Sequence, residues 1–283
     1  MRLDRRAALG LIGGGGGFVL FGRTGSGATT PMAQPPLVAG RLTQGGWARG
    51  RVWPDCQVTL DGAEVPTAAS GDFLIAFDRD APATARLDCR KGGQVLSSTD
   101  VPVAPRAWQI EQVDAPLRPP GVPDAEFQRR RADELARIAA ARALPTGAEG
   151  WRQTMVRPAP GRISGRFGAQ RIYRGQPGAY HSGLDLAAAA GTPILAPADG
   201  VVILAAEAPF TLEGLLLMVD HGMGLTSAFL HCSAHLVTAG APVRQGQPIA
   251  QVGMTGRATG PHLHWGLRWR TARLDPLLFL ADG

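Results

Sequence analysis

The chain has 283 residues, a formal net charge of +6, 45% hydrophobic residues and 18% charged residues. That length holds one large or two medium domains with ample core, and the composition excludes an intrinsically disordered chain. The mild positive charge suits an anionic surface, but no basic run is interleaved with aromatics, which excludes a nucleic-acid signature.

Residues 1–33 read as an export signal peptide. "MRLDRRAALGLIGGGGGFVLFG" opens on basic residues and continues into an apolar run that is too short and too glycine-rich for a good spanning helix. Arg5 and Arg6 resemble a twin-arginine signal, although Asp4 stands where Ser or Thr is usual. Cleavage is expected between Gly25 and Gln34, after which no stable membrane insertion is expected and the location is periplasmic or secreted. Loss of Arg2, Arg5, Arg6, Arg23 and Asp4 lowers the charge to +3.

Residues 38–116 predict a small β-sandwich of immunoglobulin-like type. Short strand-like runs recur with turns between them, and Asp61-Gly62 in "CQVTLDGAEV" is a hairpin signal. Cys56 and Cys89 flank strand-like segments, and an oxidising compartment would permit their pairing, which spacing alone does not decide. Residues 117–150 predict a proline-rich hinge and a linker helix, capped by Asp124 and ended by Pro145. Phe127, Leu135, Ile138 and Leu144 fall near one face of that helix, and Arg129 to Arg131 read as a solvated face. Residues 151–283 predict a second, mostly β domain, in which "GVVILAA", "LLLMVDH", "LTSAFLH" and "LHWGLRW" are strand-like runs separated by glycine turns.

Four of the six histidines fall in that last domain's three chemical segments. "HSGLD" holds His181 and Asp185, "SAFLHC" holds His231, and "GPHLHWGLR" holds His262 and His264. Residues two apart on a strand share a face, so His262 and His264 stand together while Leu263 turns into the core. Gly183 permits a bend that lets His181 and Asp185 converge. Imidazole and carboxylate suit zinc, and three protein ligands leave one position for water. Of the other histidines, His221 reads as structural near a strand end and His235 as solvated in a loop. Cys232 reads as a buried free thiol facing away from the metal. Arg171 reads equally as a substrate-steering group or a structural ion pair.

At these residues the chain resembles the lysostaphin- and LytM-type peptidoglycan endopeptidases of the M23 metallopeptidase family. The resemblance runs from "GRISGRFGAQR" through "HSGLDLAAAAGTPILAPADGVV", "MVDHGMGLTSAFLH" and "VRQGQPIAQVGMTGRATGPHLHWGLR" to "LDPLLFL", about the last 120 residues. It implies a mainly β fold, with an antiparallel catalytic sheet bearing a groove, and makes 151–283 an M23-like zinc peptidase domain. It implies Zn2+ on His181, Asp185 and His264, with His231 and His262 catalytic, acting on water and the transition state. Phe229 and Cys232 stand where the family usually has Tyr and Leu. The activity implied is hydrolysis of peptide cross-links in peptidoglycan peptide stems. A non-catalytic regulator of cell-wall amidases and a wall-binding adaptor are the alternatives, the first of which the complete ligand set argues against.

Overall fold

The computed structural model describes residues 37–113 and 125–281. The expected export signal and the expected cap Asp124 lie outside the described residues.

Seven strands open the described chain: β1 (Leu37–Arg41), β2 (Trp47–Arg51), β3 (Gln57–Leu60), β4 (Ala63–Val65), β5 (Asp72–Ala76), β6 (Thr84–Lys91) and β7 (Gln94–Pro102). They form two antiparallel sheets, β1-β2-β5 and β4-β3-β6-β7. Asp61 and Gly62 make the expected hairpin between β3 and β4, both at positive φ, the conformation that a tight two-residue turn demands. An immunoglobulin constant-type sandwich places its fourth strand beside the fifth; here β4 instead pairs with β3. Phe73 and Ile75 of one sheet and Val58, Leu87 and Cys89 of the other are buried in a common core. Each such large apolar side chain stabilises by about 1.5–3 kcal/mol relative to exposure. Cys56 and Cys89 are free and buried in this core. Burial, with the neighbouring Cys56 thiol adding to it, pushes the Cys89 thiol up to about 12, so Cys89 stays protonated and unreactive.

The chain then adds β8 (Ile110–Val113), and after the residues outside the description the helix α1 (Ala125–Arg142). Leu135 and Leu144 were expected on the packing face of this helix but are exposed; the buried residues are Glu134, Ile138 and Ala141. The reason is polar. Glu134 accepts from the Thr211 amide and hydroxyl at 2.6 and 2.7 Å, which rotates α1 so that Ile138 and Ala141, not the leucines, meet Leu204, Phe210, Leu216 and Met218. Arg131, expected in solvent with Arg129 and Arg130, pairs with Glu213 at 2.6 and 2.8 Å.

Thirteen further strands complete the chain: β9 (Arg162–Gly165), β10 (Gln170–Tyr173), β11 (Gln176–Pro177), β12 (Leu184–Ala187), β13 (Pro193–Leu195), β14 (Gly200–Ala205), β15 (Leu215–Gly222), β16 (Leu225–Cys232), β17 (Ala234–His235), β18 (Pro242–Val243), β19 (Pro248–Gln251), β20 (His262–Trp269) and β21 (Ala272–Leu274). The main sheet runs β18-β14-β15-β16-β20-β12-β9, with β21 on β20, and its pairs are antiparallel. On β20 the residues alternate: Leu263, Trp265, Leu267 and Trp269 are buried, and His262, His264, Gly266 and Arg268 take the other face. Core packing thus decides which face the histidines occupy, since a one-residue slip would turn them inward.

Both parts of the chain share one core and belong to one compact unit, Ala33–Gly283. Trp47 Nε1 donates to the Leu278 carbonyl at 2.8 Å, Arg49 donates to the Arg152 and Gln153 carbonyls at 2.9 and 2.7 Å, and Arg106 pairs with buried Asp275 at 2.8 Å. The strand β8 pairs in parallel with β10, so the segment leaving the N-terminal sheets becomes part of the wall beside the site.

Candidate metal centre

The strands β12 and β20 place Asp185 directly opposite His264, the closest approach available between neighbouring strands. His181 comes from the segment before β12, where its amide donates to the Ala169 carbonyl and its carbonyl accepts from the Gly168 amide, each at 2.8 Å. Three donor atoms converge. His181 Nε2 is 3.1 Å from His264 Nδ1, His264 Nδ1 is 2.8 Å from Asp185 Oδ1, and His181 Nε2 is 3.0 Å from Asp185 Oδ1. Among the described residues this is the one group of histidine, cysteine or acidic side chains with metal-holding geometry.

The donor set fits zinc. Two imidazole nitrogens and one carboxylate oxygen within 3.1 Å of one another are a donor set that would hold zinc, and three protein ligands are the number a catalytic zinc site uses. Against burial, the Asp185 carboxylate pushes His181 up, so a metal would displace a proton there. His181 Nδ1 lies 3.0 Å from the Arg166 carbonyl, which can only accept, so in the neutral ring Nε2 presents a lone pair to the centre. Burial pushes His264 down, against the opposing Asp185 carboxylate, and a neutral imidazole is the form that binds metal.

The other two histidines stand beside this triangle with the same device. His262 Nδ1 donates to the Gly260 carbonyl and His231 Nδ1 to the Thr255 carbonyl, each at 2.8 Å, so both rings keep Nε2 free. The rings of His231 and His262 lie 4.9 Å apart, and His262 Nε2 is 4.0 Å from Asp185 Oδ1. His231 reaches the groove only through a break in its strand. Leu230 already lies on the groove face, so alternation would send His231 inward; a positive φ of 63° at His231 turns it back, while its amide donates to the Glu213 carbonyl at 2.8 Å. Burial pushes His231 down as well.

All five sequence-derived site residues therefore come together. Cys232 is free, fully buried and off the groove, and Phe229 is fully buried opposite Trp265. Arg171 lines the groove and pairs with Glu111 at 2.7 Å. His221 is fully buried. His235 departs from the expected solvated loop: it lies in β17 and is half-buried, because β17 pairs with β19.

The glycines Gly165 and Gly183 escaped the sequence reading in their main role, which is clearance. A Cβ on Gly183 would sit 2.6 Å from His264 Nε2 and 2.6 Å from the Trp265 carbonyl, and one on Gly165 would sit 2.4 Å from Asp185 Oδ2. Gly183→Ala is therefore expected to displace the His264 ring and weaken metal binding by about 10–100-fold, the usual scale for disturbing a ligand's support; competition with a chromophoric chelator measures it.

The groove extends on both sides of the centre. A cavity of about 400 Å³ surrounds the histidines, with Leu212, Arg257 and Thr259 on its walls. A second, of about 840 Å³, is lined by Arg166, Gln170, Arg171 and Tyr173, and the two share Tyr180, His181, Asp185 and Arg257.

An open two-histidine, one-carboxylate centre on an antiparallel sheet, with two more histidines over it, is the site of a metal-dependent hydrolase. Residues 179–276 match the sequence profile of Peptidase family M23. It is 39% identical over 107 residues to the peptidoglycan DD-endopeptidase ShyA of Vibrio cholerae serotype O1, a match covering 38% of this chain and 24% of that protein. It is 38% identical over 120 residues to the DD-carboxypeptidase/endopeptidase Mpg of Neisseria meningitidis serogroup B, covering 41% of this chain and 26% of that one. The chain thus spans about a quarter of the length of these curated relatives. A crystal structure of a Pseudomonas aeruginosa protein assigned to peptidase M23 is 28% identical, with a TM-score of 0.67, and the match covers 86% of this chain and 96% of that one. That likeness extends past the C-terminal domain into the N-terminal strands.

Proposed function

We propose that the protein is an exported zinc endopeptidase that hydrolyses peptide cross-links of bacterial peptidoglycan. The observation that carries this reading is the convergence of His181, Asp185 and His264 on one point, with the free Nε2 atoms of His231 and His262 on its open side. A bound Zn2+ supplies a Lewis acid and brings the pKa of water to about 7. Asp185 and the Arg166 carbonyl hold the two ligand rings in register for it. Of the histidine pair, one would take the proton of the attacking water at Nε2 and pass it to the leaving amine nitrogen as the C–N bond breaks, and the other, having taken a proton from solvent, would donate from Nε2 to the oxyanion on the scissile carbonyl. Neither step needs a serine or cysteine nucleophile, and the three free thiols are buried away from solvent.

The substrate class is supported by the relatives, one named a peptidoglycan DD-endopeptidase and the other a DD-carboxypeptidase/endopeptidase. Periplasmic action fits the export signal expected over residues 1–33, and no helix among the described residues is long and apolar enough to cross a membrane. A regulator or adaptor role has no use for a complete ligand set. The test is digestion of purified sacculi by the mature protein: cross-linked muropeptides should fall to monomers with zinc and persist with a chelator. Persistence in both conditions overturns the reading.

A further inference from the structure

The groove face of β20 does not end at the metal. Past His264 it presents Gly266 and then Arg268, and a cavity of about 210 Å³ follows this row. Ser182 and His264 line one end, Arg142, Arg268 and Arg273 the other, and α1 closes its side. Arg142 comes from the last turn of α1, Arg268 from β20 and Arg273 from β21, so three elements deliver three guanidinium groups to one place.

Among the described residues no carboxylate forms a direct ion pair with Arg142 or Arg268, although Glu213 and Asp78 act on them from a distance. Glu213 also lines this cavity, but it is taken by Arg131 at 2.6 and 2.8 Å. Asp78 lends its charge to Arg268 while its Oδ2 accepts from the Arg273 amide at 2.8 Å, and the exposed Arg273 guanidinium lies over the Tyr180 ring, 5.4 Å from its centroid. Arg268 Nη2 donates to the Thr271 carbonyl at 2.8 Å, while the Nε atoms of both Arg142 and Arg268 are buried with no partner. Burial, then repulsion from Arg268 and Arg273, pushes Arg142 down to about 10 despite the opposing charge of Glu213. Burial and Arg273 push Arg268 down too. Like charges held partly out of water are unfavourable, and a bound carboxylate, taking charge-assisted bonds from a guanidinium fork, removes that penalty.

The floor between metal and arginines is kept low without structural need. A Cβ on Gly266 would meet Ala228 Cβ and His264 Nε2 at 3.9 Å and the Ser182 carbonyl at 4.0 Å, ordinary contact distances. The fold therefore tolerates a side chain there, and glycine instead leaves the passage open.

We propose that Arg142, Arg268 and Arg273 form a subsite for a carboxylate of the peptide substrate, about four residues along an extended chain from the bond cut. The spacing follows from strand geometry, since four residues on β20 separate His264 from Arg268, a rise of about 13 Å. This rests on the endopeptidase reading and narrows it to anionic stems.

The test uses pairs of fluorescent cross-linked peptides, identical except for a carboxylate or a carboxamide three to five residues from the scissile bond, on either side of it. With the zinc-loaded full chain, the carboxylate member of one pair should show a tenfold or greater advantage in kcat/KM, carried by KM. Arg142→Gln and Arg268→Gln should each reduce that ratio to threefold or less, and Arg130→Gln, on the exposed face of α1, should leave it intact. Thermal melts establish that the variants fold. The same peptides are titrated by anisotropy against chelator-treated protein, which reads the preference without cleavage. Equal behaviour of both members in every pair, or a preference that survives the double variant R142Q/R268Q, overturns the subsite. Failure to cleave any pair while the anisotropy preference holds overturns the endopeptidase reading and leaves the carboxylate site standing.

Discussion

Asp185→Ala yields a protein without metal and without hydrolytic activity. Asp185 Oδ1 is the one atom within 3.0 Å of both ligand nitrogens. Burial alone would raise its pKa, but hydrogen bonds from His181 and His264, and their charges, hold the carboxyl well below the usual carboxylate range. It is therefore the anion of the centre, and removing it leaves two imidazole nitrogens alone to bind a divalent cation. A fall of several orders of magnitude in kcat/KM is expected, together with loss of zinc on dialysis, read by elemental analysis. His262→Ala should separate the two losses. It keeps the three converging donors and removes a ring whose Nε2 is 4.0 Å from Asp185, so zinc stays while kcat falls by about 10²–10⁴, the contribution of a positioned acid or base. Zinc-free His262→Ala protein would make His262 a ligand and overturn the division of roles.

The pairing of His262 with His264 was legible because its logic is local, whereas the ligand set as a whole came from the family resemblance. Strand alternation puts His262 and His264 on one face whatever the surroundings, and burial of Leu263 and Trp265 chooses which face. Likewise the Asp61-Gly62 hairpin follows from two residues that tolerate positive φ. What could not be read depends on contacts made across the fold. His231 was assigned by resemblance, whereas alternation along β16 points it inward; the groove position needs a left-handed backbone at that residue. The packing face of α1 was misjudged because apolar periodicity names Leu135, while the helix is turned by Glu134 binding Thr211, a partner 77 positions away. Clearance glycines have no pattern at all, since Gly183 matters only because His264 arrives beside it from another strand. The arginine cluster is of the same kind: Arg142, Arg268 and Arg273 look like ordinary surface charges until three elements meet.

Beneath the metal strands, His221 should make the protein lose stability as the pH falls below about 6.5, the ordinary histidine value. It is fully buried, with Nδ1 2.8 Å from the Asp199 carbonyl and Nε2 2.8 Å from Ser227 Oγ, to which Trp265 Nε1 donates at 3.1 Å. A carbonyl only accepts, so Nδ1 carries the proton; Nε2 then accepts from the Ser227 hydroxyl, whose oxygen accepts from Trp265. A second proton has no place in this chain. Burial pushes His221 down, outweighing the Asp199 carbonyl and the charges of Asp220 and Asp199 that favour protonation. Below the ordinary value the unfolded chain binds a proton that the folded protein refuses, so folding free energy declines with falling pH by up to about 1.4 kcal/mol per unit until the folded group itself titrates. His221→Ala should cost about 2–4 kcal/mol near neutrality, from lost packing and from the orphaned Ser227 and Asp199 groups. It should also flatten the acid slope by one proton. Urea unfolding of metal-free wild type and variant between pH 7.5 and about 5 measures both, with the other histidines common to the two proteins and cancelling in the difference. Parallel slopes would mean that His221 accepts its second proton inside the fold, and with that the serine-tryptophan chain supporting the metal strand would not exist as drawn from its distances.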